Sequence, residues 1–291
     1  MTENRPPESS QFLQCRSNRL YVGTPVVMGV LNTTPDSFSD GGEYVETDIA
    51  LNRIDQMIRE GAGIIDVGGE STRPGSEPVS VETELDRTIP VFEKAIPAHP
   101  NVLFSIDTTK YEVASAALDA GAHIINDVSG LQKEPRFADL CANTGAAYIC
   151  MHSQGDPKTM QKNPDYREVV EDIFQFLKDK LKYLSGKGVH NIMIDPGIGF
   201  GKTLTHNLKL VNELAKFKEL KTPILIGASR KSSIGEILGG RQPDGRLAGT
   251  IALHYHCLVN GASIIRVHDV EEAVDSVKIF NAVQAAAKEK V

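Results

Sequence analysis

Short apolar runs in this sequence repeatedly end in a side chain that can hold charge or accept hydrogen bonds. Val102–Ile106 leads to Asp107, Ile192–Ile194 to Asp195, and Ile124-Ile125 to Asn126. Two carboxylates and a carboxamide gathered in one place would suit a flat ligand edge with several N–H donors, such as an amidine-like or guanidine-like heterocycle. A second set is cationic. Arg266 and His268 follow Ile264-Ile265, Lys231 follows the run Ile224–Ile226, and Arg73 sits in a stretch rich in Gly and Ser. Together these residues suit an anion, and the joint expectation is a heterocycle carrying phosphate groups. Each has a plainer reading as well: Asp107 or Asp195 could cap a helix, and Arg73 could be a solvated loop charge.

Four of the apolar runs share one lead-in. Gly61-Ala62-Gly63-Ile64-Ile65-Asp66, Gly121-Ala122-His123-Ile124-Ile125-Asn126, Gly145-Ala146-Ala147-Tyr148-Ile149-Cys150 and Gly261-Ala262-Ser263-Ile264-Ile265-Arg266 each read as a helix stop feeding a buried strand. Glycine tolerates the left-handed helix end, and a short β-branched run suits a strand covered on both faces. Adding Val26–Leu31, Val102–Ile106, Ile192–Ile194 and Ile224–Ile226 brings the strands to about eight, the number of a TIM (β/α)8 barrel. Helix-period segments lie between them, such as Val169, Val170, Ile173, Phe176, Leu177 and Leu184, or Leu208, Val211, Leu214 and Phe217. Connections into strands are short. Those leaving strands, Thr33–Thr47, Gly69–Ser80 and Ser153–Tyr166, are long, and in such a barrel they gather on the face that carries the chemistry.

At 291 residues and 41% hydrophobic, the chain can bury one barrel core. Residues 1–15 are expected as a disordered or extended tail and residues 16–291 as a single α/β domain. A net charge of -7 argues against nucleic acid as the main ligand, and no apolar run approaches the length of a membrane span. Cys15, Cys141, Cys150 and Cys257 form no paired motif, so reduced thiols and a cytoplasmic location are expected.

Some apparent motifs fail. Gly201-Lys202-Thr203 imitates the end of a phosphate-binding P-loop, but the leading glycine falls on Pro196, which has no N–H. Gly197, Gly199 and Gly201 miss the dinucleotide fingerprint and are read as a tight turn under Phe200. His254 and His256, two apart in an expected helix, point to different faces and are read as ordinary helix residues.

Two longer segments carry a family resemblance. Val27-Met28-Gly29-Val30-Leu31-Asn32-Thr33-Thr34-Pro35-Asp36-Ser37-Phe38-Ser39-Asp40-Gly41-Gly42 and Asp66-Val67-Gly68-Gly69-Glu70-Ser71-Thr72-Arg73-Pro74-Gly75 resemble the two signature segments of dihydropteroate synthases. Ser105-Ile106-Asp107-Thr108, Ile125-Asn126-Asp127-Val128, Met151-His152, Asp195–Lys202, Gly227–Ser232 and Arg266–Asp269 are similar to the remaining motifs, in order. The likeness covers nearly the whole chain beyond the tail. Its one oddity is Thr33, where an apolar residue is more usual.

The resemblance implies condensation of a 6-hydroxymethyl-dihydropterin diphosphate with 4-aminobenzoate, giving 7,8-dihydropteroate and pyrophosphate. It places Asp107, Asn126, Met151, Asp195, Phe200 and Lys231 on the pterin. Asn32, Thr72, Arg73, Arg266 and His268 would hold the diphosphate, with Mg2+ near Asn32. Phe38, Thr72, Pro74, Phe200, Lys231 and Ser232 would line the aminobenzoate pocket, for which sulfonamides would compete. Asp107, Asp195, Lys231, Arg266 and His268 would carry the chemistry, chiefly by stabilising a departing pyrophosphate, and binding would be ordered with the pterin diphosphate first. A homodimer through late helices near Leu247–Leu258 and Val270–Ala287 is also implied. Pterin-binding domains of corrinoid methyltransferases are similar barrels, but they need neither the diphosphate cluster nor a Thr72-Arg73-Pro74 loop.

Overall fold

The structure, a computed structural model, describes residues 12–33, 43–71, 75–156 and 158–287. Eight parallel strands form its centre: β3 (Val26–Asn32), β4 (Ile64–Gly68), β5 (Leu103–Asp107), β6 (Ile124–Asp127), β7 (Ala147–Met151), β8 (Ile192–Asp195), β9 (Leu225–Ile226) and β10 (Ile264–Val267). They are ordered β8-β7-β6-β5-β4-β3-β10-β9, and a parallel bridge between Ile194 and Ile224 joins the two ends into a barrel. The seam is its weakest joint, because β9 is two residues long.

Helices α1 (Glu43–Glu60), α2 (Val81–Ala98), α3 (Tyr111–Asp119), α4 (Phe137–Thr144), α5 (Val169–Gly186), α6 (Leu204–Asn212), α7 (Ser232–Ile237), α8 (Leu247–Val259) and α9 (Val270–Ala286) wrap the outside. The glycines of the four repeats have the backbone the sequence asks of them: φ is 107° at Gly61, 106° at Gly121, 71° at Gly145 and 105° at Gly261. The helical pattern around Leu208–Phe217 breaks in two. Helix α6 ends at Asn212, and a 3-10 helix over Leu214–Leu220 buries Leu214 and Phe217. Helix α1 begins at Glu43, inside the connection expected to run to Thr47.

Strand alternation divides the core into two compartments. Outward residues such as Ile65, Val67, Phe104, Ile106, Ile125, Tyr148 and Ile194 pack against helices. Inward residues Met28, Ile64, Leu103, Ile124, Ala147, Ile149, Met193, Leu225 and Ile264 fill the barrel. A hairpin from the expected tail closes the bottom of the barrel. Strand β1 (Phe12–Cys15) pairs antiparallel with β2 (Asn18–Tyr21), and Leu13, Cys15 and Leu20 pack onto the inward cluster. The last four residues of the expected tail thus belong to the fold, and residues 1–11 lie outside the described residues. The hairpin is fastened by Arg16, whose Nη1 donates to the carbonyls of Leu118 (2.5 Å) and Ala122 (3.0 Å).

Candidate active site

The same alternation that puts Ile64, Leu103, Ile124, Met193 and Ile264 inside puts Asp66, Asn126, Asp195 and Arg266, two residues on, and Asp107, four residues on past Ser105, at the barrel's open end. Four of these side chains meet, and the fifth, Asp195, lies within reach of the Arg266 charge. Arg266 donates from Nε to Asp66 Oδ2 (2.6 Å) and from Nη2 to Asp107 Oδ2 (2.8 Å). Asn126 Nδ2 donates to the same Asp66 oxygen at 3.0 Å. Both carboxylates keep one buried oxygen, Asp66 Oδ1 and Asp107 Oδ1, without a hydrogen-bond partner among the described residues. An unpartnered buried carboxylate oxygen is costly unless a donor arrives, so the cup is built to receive N–H groups.

Its electrostatics follow from burial. Desolvation pushes the Asp107 carboxyl up to about 7, with Arg266 pulling it down and the neighbouring charge of Asp66 adding to the rise. Asp195 is pushed up to about 6 by burial, against the hydrogen bond from the Gly197 N–H (2.7 Å) and the charges of Lys231, Lys202 and Arg266. Both groups titrate near neutrality, so each can hold or release a proton as a ligand demands.

Asp195 leads into the glycine turn. Gly197, Gly199 and Gly201 all have positive φ (73°, 83° and 64°), and a Cβ on Gly197 would lie 1.9 Å from the His152 carbonyl oxygen. The turn puts the Phe200 ring under the Lys231 ammonium, 4.0 Å from Nζ to the centroid. Met151 stands at the inward end of β7, beside Asp195 in register. Lys231 precedes Ser232, the first residue of α7. His268 is oriented by Ser229, whose Oγ lies 3.0 Å from Nδ1 and accepts the His268 backbone N–H at 3.2 Å. Asn32 closes β3 in register with Gly68. Thr33 finds a use for its hydroxyl: Oγ1 and the backbone N–H both donate to the Gly68 carbonyl (3.2 and 2.9 Å). Phe38, Thr72, Arg73 and Pro74 lie outside the described residues.

Three residues have roles that sequence pattern alone does not assign. Asp66 reads in the sequence only as a strand end, yet it is the acceptor shared by Arg266 and Asn126. Its signal was available, since it occupies in the first repeat the place of Asn126 and Arg266 in theirs. Lys202 was passed over with the failed P-loop. It is buried, and Nζ donates to the carbonyls of Phe200 (3.0 Å) and His152 (3.3 Å) and meets His152 Nδ1 at 3.1 Å. Burial pulls its pKa down to about 7, and burial plus Lys202 holds the His152 imidazole down at about 3. Ser229, the partner of His268, is the third. His254 and His256 do point to different faces: His254 is fully buried on α8 and accepts the Ala228 N–H at Nε2 (3.2 Å), whereas His256 is exposed.

Arg266 has a different setting from the one expected. The resemblance implies a charge on the diphosphate, and in the structure its Nε and Nη2 are paired with two buried carboxylates. Removing it would therefore leave Asp66 and Asp107 uncompensated in addition to any loss at an anion.

Fold and site together define a (β/α)8 barrel of the enzyme kind, its open end carrying an acidic cup suited to a flat, N–H-rich ring with cations beside it. Comparison with known proteins agrees. The pterin binding enzyme family matches residues 28–268. The dihydropteroate synthase of Escherichia coli is 44% identical over 280 residues, covering 96% of this chain and 98% of the relative. The solved Xanthomonas albilineans dihydropteroate synthase with 4-aminobenzoic acid superposes with a TM-score of 0.88 at 41% identity, covering 94% and 98%. The Yersinia pestis dihydropteroate synthase in complex with a sulfonamide drug gives 0.88 at 42% identity, covering 94% and 99%. The chain belongs to the dihydropteroate synthase family.

Proposed function

We propose that this chain joins (7,8-dihydropterin-6-yl)methyl diphosphate to 4-aminobenzoate, releasing pyrophosphate and forming 7,8-dihydropteroate. The observation that carries this is the single cup in which Asp107, Asn126, Asp195 and Arg266 converge, with Lys231 and Phe200 at its edge. The aminopyrimidine edge of a pterin presents the donors that Asp195 and the bare oxygen of Asp107 lack. Met151 and Phe200 supply apolar surface for the ring.

The bond that breaks joins the methylene carbon to the diphosphate oxygen; the one that forms joins that carbon to the aromatic amine nitrogen, which then loses a proton. An aromatic amine is a weak nucleophile, so departure of pyrophosphate leads and positive charge spreads into the pterin. Carboxylates already placed at the ring stabilise that charge without reorganising at the moment of reaction. Arg266, His268 and Lys231, with Arg73, serve the developing negative charge of the leaving group. Sulfonamides compete for the aminobenzoate pocket.

Magnesium fits these residues only as an ion that arrives with the substrate. Among the described residues no group of three or more His, Cys, Asp or Glu could hold a metal, and Asn32 offers a single hard oxygen. Mg2+ is commonly held in this way, by one or two protein oxygens and substrate phosphates. When bound it would neutralise the diphosphate. Pyrophosphate release should require both substrates and fall on chelation. No release from a folded sample given both substrates and Mg2+ would remove this reading.

Assembly as a homodimer is part of the same proposal. An apolar groove of about 600 Å³ runs between α6, α7 and α8 past Leu208, Ile234, Ile237 and Leu253, and Ile279 and Val283 of α9 are exposed. Ile279→Lys is expected to shift sedimentation towards the monomer. A cytoplasmic location is supported by four buried cysteines, all free thiols. No helix among the described residues is long and apolar enough to cross a membrane.

A further inference from the structure

One buried ammonium, which the chemistry above leaves unused, ties the exit of β8 to the exit of β7. Lys202 is 2% exposed, and its three N–H bonds meet three acceptors: the Phe200 carbonyl at 3.0 Å, the His152 carbonyl at 3.3 Å and His152 Nδ1 at 3.1 Å. His152 is itself fixed. Its backbone N–H donates to the Asp195 carbonyl at 3.0 Å, and its ring packs edge-on against Phe176 with 4.8 Å between centroids. The glycine turn passes so close to this pair that a Cβ on Gly197 would lie 1.9 Å from the His152 carbonyl oxygen and 3.3 Å from Lys202 Nζ.

The turn matters for what it carries. The Gly197 N–H orients Asp195 through Oδ1, and Phe200, whose carbonyl Lys202 holds, puts its ring under Lys231. Met151, the residue before His152, stands in register with Asp195. Stability alone does not account for the lysine, because an apolar side chain would fill the same space without the cost of burying a charge. Ionic hydrogen bonds contribute direction instead, and three from one atom fix the two strand exits relative to each other.

We propose that Lys202 is a positioning residue of the pterin site, pinning the Gly197–Gly201 turn to the end of β7 and so setting where Asp195, Phe200 and Met151 stand, without touching the ring. The inference rests on the dihydropteroate synthase reading. The ammonium also acts on Asp195 through its charge. Three cations, Lys231, Lys202 and Arg266, join the Gly197 N–H in opposing the rise that burial imposes on Asp195. The thiols of Cys150 and Cys257 feel the same carboxylate, and burial keeps both protonated. Lys202 in turn faces Asp195, Lys231 and a His152 ring held neutral by burial, and near pH 6 it is charged, since burial pulls it down only to about 7. Removing it therefore raises Asp195 further as well as loosening the turn.

The test is Lys202→Met, close in shape but with neither donors nor charge. Tyr166 Oη and Asn207 Oδ1 still fasten the turn, at the Gly201 carbonyl and the Gly199 N–H (2.8 Å each), so the variant should fold. By calorimetry at pH 7, affinity for 6-hydroxymethyl-7,8-dihydropterin should fall about tenfold, the scale of a lost charge-assisted hydrogen bond. Affinity for inorganic pyrophosphate should stay within about twofold, well short of a tenfold change. The acid limb of pterin affinity, near pH 6 in the parent, should move up by about half a unit or more, which packing damage alone does not produce. Lys202→Gln, which keeps a donor and lacks the charge, should show the same movement of the limb with a smaller loss at pH 7, and it serves equally if Lys202→Met does not fold. An unmoved acid limb in a folded variant, equal losses for pterin and pyrophosphate, or failure of both variants to fold would overturn the proposal. A parent protein that binds no pterin would instead overturn the functional reading on which it rests.

Discussion

Asp66→Asn is the sharpest probe of the cup, because it changes one buried charge and almost no volume. In the parent, Asp66 Oδ2 receives Arg266 Nε at 2.6 Å and Asn126 Nδ2 at 3.0 Å. The amide can still accept one of these, so the loss is the charge assistance on the Arg266 bond and part of the Asn126 bond, about 2 kcal/mol in all. Arg266 remains paired with Asp107 at 2.8 Å, which keeps the cost below that of a buried charge with no partner. In a chain of 291 residues a loss of that size lowers the melting temperature by roughly 3 °C.

The pH dependence of that loss tests the reasoning further. Burial is the main cause that lifts Asp107 to about 7, Arg266 opposes it, and Asp66 is the next contributor upward. A carboxyl raised in the folded state contributes stability that is present below its unfolded pKa, near 3.8, and is lost as pH rises through about 7. Replacing Asp66 lowers the folded pKa of Asp107 and so reduces that loss. The variant's deficit should therefore be largest near pH 5 and smaller near pH 8, in urea denaturation run at both values. A deficit that grows with pH, or none at the lower value, would refute the shared-acceptor account.

Asp195→Asn should weaken pterin binding by about 10- to 100-fold, the scale of a lost ionic acceptor. The parent's pterin affinity should fall as pH drops through about 6, where Asp195 takes up its proton, and calorimetry on the variant should lack that limb. Arg266→Ala should destabilise the fold by about 3–5 kcal/mol, because two carboxylates lose their shared cation, while also weakening diphosphate binding. Full stability with a selective diphosphate defect would contradict the geometry seen here. Gly197→Ala meets the His152 carbonyl at 1.9 Å from a backbone at φ 73°, so it should displace the Asp195 turn and impair pterin binding and thermal stability together.

The sequence by itself determined the barrel, its strands and the residues at their open ends. The reason is local: helix stops need a glycine free to adopt positive φ, and strands buried on both faces need an unbroken apolar run, so both leave marks that survive in one dimension. Gly61, Gly121, Gly145 and Gly261 announce their strands in this way, and the two-residue side-chain period then brings Asp107, Asn126, Asp195 and Arg266 to a common cup. The hairpin of Phe12–Tyr21 left no such mark, since nothing in its short strands tells a tail from a plug; its meaning lies in the barrel bottom it covers. Pairing was equally hidden. Arg266 could be placed on a strand end but not on Asp66 and Asp107, which lie 200 and 159 positions away. Lys202 looked like a broken motif until folding buried it against His152 and Phe200. Side-chain type and spacing are written along the chain, whereas charge pairing and desolvation depend on neighbours that only closure of the barrel supplies.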